Sequence, residues 1–205
     1  WPADRLFTVN LGIDPQRFIP KERYEHTGPL RLLFVGTMTR RKGLGVLFEA
    51  LRQLPGQSFQ LTLIGPMADA ADLLREHAGQ HTYLPFLHHE DLARYYREAD
   101  VFVFPSLLDS WAQTVLEAMA SGTPAIVTEN TGAKDAVAQG GGWIIPPNDP
   151  EALRRQLGYL IEHPEWIEPA GRAARVVAEQ YTWEHYYRQV SEVIETIARR
   201  APVPL

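Results

Sequence analysis

Residues 101–128 read VFVFPSLLDSWAQTVLEAMASGTPAIVT. An apolar run, a loop, an amphipathic stretch, a Ser-Gly-Thr-Pro stop and a second apolar run follow one another. The two apolar runs are too short for helices and lack the alternation of a half-exposed strand, so they read as strands buried on both faces. Between them the period is helical: Trp111, Ala112, Val115, Ala118 and Met119 fall on one side of a wheel. Strand, helix and strand in that order form the unit of a parallel sheet covered by helices.

The same alternation extends in both directions. Strands are expected at Leu30–Val35, Gln60–Ile64, Thr82–Leu84, Val101–Phe104, Ala125–Thr128 and Gly142–Ile145. Helices are expected at Leu44–Leu54, Ala68–His77, Glu90–Glu98, Gln113–Ala120 and Ala133–Gln139, then at Pro150–Glu162, Pro164–Gln180 and Trp183–Arg199. This predicts an α/β fold, a doubly wound six-stranded parallel sheet of order 3-2-1-4-5-6 with helices on both faces. Residues 1–29, rich in Pro and turn formers, read as a linker, and residues 30–205 as one domain. The chain opens on Trp1, read here as the start of a piece of a longer protein.

The chain has 205 residues, 45% of them hydrophobic, and a formal net charge of −5. That supports a sizeable core and argues against bulk attraction to nucleic acid. There is no cysteine, so disulfides and thiolate metal sites are excluded, which fits a reducing, cytoplasmic setting. No apolar run reaches membrane-spanning length.

The predicted strand order reverses between strands 1 and 4, so the loops after them flank one crevice. The first loop is GTMTRRKG, residues 36–43; the second is PSLLDSWAQT, residues 105–114. Ser110 and Gln113 have capping-box spacing. With Ser110 as N-cap, the first-turn amides and the helix dipole favour an anion in the crevice. The alternative is that Ser110 satisfies those amides itself and Asp109 only complements the dipole. Glu117 lies opposite the apolar side of its helix, above Gln113 and Thr114. It reads either as an ordinary solvated glutamate or as a site residue beside the switch point.

Carboxylates repel phosphate but accept hydrogen bonds from neutral vicinal hydroxyls. A pyrophosphate at the helix start with a hydroxyl-rich group at each end would use Asp109, Glu117 and the amides together. That describes a nucleotide sugar. The cation comes from Arg40, Arg41 or Lys42; Lys42 is favoured because Gly43 follows it and permits close backbone approach. GTMTRRKG is neither a Walker loop nor a GxGxxG loop, which argues against ordinary ATPase and dehydrogenase readings. His88, His89, Glu90 and Asp91 stand at a helix start and read as structural or solvated rather than as a metal site. The Glu184–Glu195 face reads as solvated, and Trp183, Tyr186 and Tyr187 as core or interface packing.

The chain resembles the carboxyl-terminal, donor-binding domain of the family 4 (group 1) glycosyltransferases, half of a GT-B enzyme with two Rossmann-like domains. VNLGIDPQRFIP, LLFVGTMTRRKGLGVLFEAL, LTLIGP, YLPFLHHEDLARYYREADVFVFPS, DSWAQTVLEAMASGTPAIVTENTGAKDAV and GGWIIPPNDPEAL carry the likeness over nearly the whole length. The family motif is Glu, seven residues, Glu; here Asp109 and Glu117 occupy its ends. The resemblance implies that Asp109 contacts donor-sugar hydroxyls and Glu117 the ribose. It also implies that the amides near Ala112, Gln113 and Thr114 meet the diphosphate, and that Lys42 binds it and stabilises the leaving group. Gly36, Thr37, Arg41, Ser110 and Trp111 complete the donor-binding set, with Leu84 and Phe86 as candidates to line a base pocket. Three departures from the family stand out. Asp109 is one methylene, about 1.5 Å, shorter than Glu; Thr37 replaces an arginine, for which Arg40 or Arg41 are the available substitutes; Ala112 replaces a glycine.

The implied activity is retaining hexosyl transfer from a UDP- or GDP-linked sugar to an acceptor hydroxyl, without metal or other cofactor. The acceptor then sits on an amino-terminal domain, which also supplies any peripheral membrane contact, and this piece binds donor but transfers little alone. The rival expectation is a non-catalytic nucleotide- or protein-binding module of the same fold.

Overall fold

The computed structural model describes residues 2, 5–24 and 28–199, leaving aside the side chain of His89. Six strands form one sheet: β1 Leu30–Val35, β2 Phe59–Ile64, β3 Thr82–Leu84, β4 Val101–Phe104, β5 Ala125–Thr128 and β6 Gly142–Ile145. Their order is β3-β2-β1-β4-β5-β6, and every neighbouring pair is parallel. Leu32 of β1 sits opposite Leu61 of β2 and Val101 of β4, so the reversal falls between β1 and β4. β4 and β5 are buried at every residue. This is why they read as unbroken apolar runs: both faces are covered, and neither needs a polar residue. Phe34 stacks on Phe104 at 5.6 Å, and Phe104 on Phe102 at 6.1 Å, forming an aromatic layer beneath the site.

Eight helices are described: α1 Leu44–Arg52, α2 Ala71–Glu76, α3 His89–Glu98, α4 Gln113–Ala120, α5 Lys134–Ala136, α6 Pro150–Glu162, α7 Ile167–Ala178 and α8 Trp183–Arg199. Where the expected ends differ, local hydrogen bonds explain it. The amides of Ala68 and Ala70 donate to the Met38 carbonyl at 3.2 and 3.3 Å, tying this stretch to the first loop, and α2 begins at Ala71. The end of α1 tightens into i→i−3 bonds at Gln53 and Leu54. The helix expected through Gln139 ends as α5 and passes into a wide turn, Val137–Gly141, broken at Gly140. The first turn of the expected Pro164 helix is a 3-10 turn, Pro164–Trp166.

The lead-in segment packs on the domain. Ile13 and Phe18 are buried. The Ile13 amide donates to Tyr181 O at 2.8 Å, the Lys21 amide to Ser121 O at 3.1 Å and Tyr24 Oη to Gly122 O at 2.7 Å. Arg175 Nη1 donates to the carbonyls of Pro15, Phe18 and Ala120, fastening this segment to α4 and α7. No residue of α8 is buried, and Tyr187, Ile194 and Ile197 on it are exposed. Among the described residues no helix is long and apolar enough to cross a membrane.

Candidate functional site

The loop after β1 is held through its backbone to the end of β2. Gly36 N bonds to Ile64 O, Met38 N to Pro66 O, and a 3-10 turn, Arg40–Lys42, ends at Gly43. Gly43 has φ 80°, and a Cβ there would lie 1.9 Å from the Pro105 carbonyl oxygen. Only glycine fits, and the fit presses the first loop onto the second. From there the two loops are laced together. Leu107 N donates to Arg41 O at 2.9 Å, Ser106 Oγ to Arg41 O at 3.2 Å, and Arg41 Nη1 to Leu108 O at 2.6 Å.

The second loop is laced equally to the loop after β5. Asp109 N donates to Asn130 O at 3.1 Å, and Gly132 N to Asp109 O at 2.9 Å. These bonds aim the Asp109 carboxylate back at the first loop. Its Oδ2 forms an ion pair with Lys42 Nζ, and its Oδ1 accepts the Trp111 amide at 3.2 Å. The Lys42 and Asp109 side chains are 17% and 9% exposed. The ammonium also stands 4.9 Å from the centre of the Phe104 ring. The shorter aspartate therefore meets the lysine directly. Two groups far apart in sequence are brought into contact where the reversal of strand order sets their loops side by side.

The start of α4 differs from the expected capping box. Ser110 is exposed and does not cap the helix; the N-cap is Ala112, at φ 63° and ψ 68°. Two observed bonds replace the box. The Asp109 carboxylate takes the Trp111 amide, an Asx-type turn, and the Gln113 side chain donates to Gly12 O at 2.7 Å. Among the described residues no side chain caps α4, so its first amides and dipole stand there without a side-chain acceptor. Trp111 packs against Tyr181 at 5.8 Å.

Glu117 lies on the outer side of α4, opposite the buried Val115, Leu116, Ala118 and Met119, and is half-buried. Its Oε2 accepts a hydrogen bond from Tyr96 Oη at 2.8 Å. Tyr96 is fully buried on α3. Burial, foremost, and then the Glu117 charge and the hydrogen bond raise its hydroxyl well above the usual tyrosine pKa, so it remains a neutral donor. Sequence reasoning missed Tyr96. The available signal was its place one turn after Ala93 on the buried side of α3: a buried tyrosine hydroxyl needs a partner.

The remaining candidates are more dispersed. Arg40 is bound at the start of α2, its guanidinium to Asp72 on the helix and its amide to Asp69 Oδ1 just before it. Arg41 is spent on the Leu108 carbonyl, which leaves Lys42 as the member of the triplet that reaches Asp109. Thr37 is exposed, with its carbonyl accepting the Thr39 amide at 2.8 Å. Leu84 is half-buried and Phe86 is 70% exposed, both at the end of β3 with β2 between them and β1. A groove of about 780 Å³ runs past Leu51, Phe59, Leu61, His81 and Thr82, away from the loops. Among the described residues no group of three or more His, Asp or Glu is placed to hold a metal ion.

The parallel sheet, its order β3-β2-β1-β4-β5-β6 and the two loops meeting at the switch point define a Rossmann-like α/β domain. Comparison with known proteins narrows it. Residues 15–195 match the family "Glycosyl transferases group 1", and the chain belongs to that family. It is 33% identical to the amylovoran biosynthesis glycosyltransferase AmsK of Erwinia amylovora, over 96% of this chain and 52% of that protein. It is 28% identical to the O-antigen chain mannosyltransferase B of Escherichia coli, over 90% of this chain and 53% of that protein. The chain thus spans about half the length of these relatives. Among solved structures, sucrose-phosphate synthase from Thermosynechococcus elongatus superimposes with a TM-score of 0.80 at 26% identity, over 94% of this chain and 53% of that one. The carboxyl-terminal domain of a group 1 glycosyltransferase from Francisella tularensis superimposes with a TM-score of 0.70 at 20% identity, over 82% of this chain and 97% of that one.

Proposed function

We propose that this chain is the donor-binding half of a retaining, metal-independent glycosyltransferase that moves a hexosyl group from a UDP- or GDP-linked sugar to an acceptor hydroxyl. The observation that carries the reading is the meeting of Lys42 with Asp109 beside the uncapped start of α4. The diphosphate lies between the Lys42 ammonium and the amides of Gln113 and Thr114, over the loop of Gly36 and Thr37. Arg41, Ser110 and Trp111 act through the backbone that shapes this seat. Glu117 accepts the ribose hydroxyls.

Lys42 cannot hold Asp109 and the diphosphate equally well. When the diphosphate draws the ammonium, Asp109 Oδ2 is released to accept a hydroxyl of the sugar. The same movement brings positive charge to the bond that breaks, where the departing diphosphate gathers negative charge. Amides set in advance, joined by the lysine that the diphosphate draws in, stabilise that charge with little reorganisation of solvent. The acceptor sits on the other half of the full-length protein, which works in the cytoplasm with any membrane contact made through that half.

Calorimetric titration of the full-length protein with UDP, GDP and ADP, each beside its sugar conjugate, tests the reading. Binding of one nucleotide, with a further gain from its sugar, is the expected result. No binding by any of them overturns it. Loss of transfer in Lys42→Ala supports an enzyme; a parent protein with no transfer and a Lys42→Ala protein with unchanged cellular function supports a binding module.

A further inference from the structure

The proposed chemistry gives Tyr96 no task, yet its hydroxyl reaches the site. The ring is fully buried, edge-on to Phe18 at 5.9 Å and tilted against Phe102 at 5.8 Å. Its carbonyl accepts Thr123 Oγ1 at 2.6 Å, so the turn of α3 that carries it is fixed to the turn after α4. A buried tyrosine needs some acceptor, and a backbone carbonyl would suffice. Here the acceptor is a carboxylate on the outward side of α4, 2.8 Å from the phenol oxygen. A glutamate that grips a ligand loses rotamer freedom; a phenol fixed by its own packing imposes that loss on folding instead of on binding.

We infer that Tyr96 is a positioning residue, which fixes the Glu117 carboxylate in the orientation that receives the two ribose hydroxyls of the donor. The inference rests on the reading of Glu117 as the ribose acceptor. Tyr96 touches no substrate. A neutral donor suits the role: it orients the carboxylate without placing beside it a cation that would compete for it.

The test uses the full-length protein as wild type, Tyr96→Phe, Glu117→Ala and the double variant. Each is titrated with UDP, GDP and ADP and with their 2′,3′-dideoxy analogues. Tyr96→Phe keeps the ring and removes only the hydroxyl. It should weaken the ribonucleotide about five- to tenfold and leave the dideoxy analogue unchanged. In the Glu117→Ala background it should have no further effect on either. Equal losses for the ribo and dideoxy forms, with a lowered Tm, would mean that the hydroxyl serves only packing, and would overturn the inference. So would an unchanged Tyr96→Phe protein whose Glu117→Ala counterpart has lost the ribo preference; the reading of Glu117 would then stand alone. If Glu117→Ala keeps the full ribo preference, or no nucleotide binds, the reading of Glu117 falls and the positioning role with it.

Discussion

Asp109 and Glu117 stand at the two ends of one loop–helix unit and meet opposite surroundings. Asp109 is 8% exposed and neutralised by an ammonium. Glu117 is half-buried and held by a neutral phenol. A carboxylate paired with a cation is strongly committed, and a competing anion must take the cation before the acid can act. A neutral donor orients a carboxylate without itself neutralising it. On the proposed reading the same chemical group is a gated acceptor just before α4, at Asp109, and an oriented acceptor within it, at Glu117.

Lys42→Ala should have the largest effect, because it strikes only the gated end. It leaves Asp109 buried without its cation, which costs about 3 kcal/mol and is read from the urea midpoint. In the full-length protein kcat/KM should fall at least about a hundredfold. Adding Asp109→Asn should recover much of the stability and none of the rate. Unchanged stability in Lys42→Ala would break the claim that Asp109 depends on this pair.

A second lysine sharpens the comparison: among the described residues no carboxylate forms an ion pair with Lys21. Lys21 Nζ donates to the neutral Ala99 carbonyl and lies 5.0 Å from the Tyr24 ring centre, while the nearby Asp100 is engaged by Arg31. Burial, only partly offset by Asp100, lowers its pKa to about 8. Below that value both folded and unfolded chains carry the proton, and the cost of burying the charge is present in full. As pH rises through about 8 the folded chain releases its proton first, so the unfolded state binds more protons and stability increases. Wild type should gain on the order of 2–3 kcal/mol over Lys21→Met between pH 8 and 10. Tyr24, raised to about 12 mainly by burial, acts oppositely, but only above pH 10, where the unfolded tyrosine ionises first. A difference between wild type and Lys21→Met that does not change with pH would show that Lys21 is solvated.

Asp109 and Glu117 should also separate by ligand. Glu117→Ala should weaken bare nucleoside diphosphate and nucleotide sugar alike, each about tenfold. Asp109→Asn should remove the sugar's increment and leave the bare nucleotide no weaker, since Lys42 is released to it. Equal losses of bare nucleotide in both variants would erase the distinction.

What was legible in the sequence follows from the same contrast between backbone and side-chain control. Strands such as Val101–Phe104 and Ala125–Thr128 were readable because burial on both faces leaves an unbroken apolar run. Strand order followed from the alternation of elements, and with it the meeting of the Lys42 and Asp109 loops. The α4 cap was not readable. Ser110 and Gln113 have the right spacing, but Asp109 takes the Trp111 amide and Gly12 takes the Gln113 side chain. Both competitors are set by tertiary contacts, through the bridge of Asp109 to Thr131 and the docking of the lead-in segment. Tyr96 was hidden for the same reason: its partner is on another helix.

Ala112 gives the smallest effect and the most direct check on that cap. It is 7% exposed and lies at φ 63°, a left-handed conformation that crowds a Cβ against the backbone. The strain is tolerated because Asp109 and Gln113 hold the chain on either side of it. Glycine adopts the conformation without crowding, although it loses more freedom on folding. Relief should exceed that loss, and Ala112→Gly should raise stability by about 0.5–1 kcal/mol. Nucleotide affinity should hold or rise slightly, because the first amides of α4 are then no longer placed by a strained residue. A clear loss of stability would show that Ala112 contributes more through its buried methyl than it costs through its backbone.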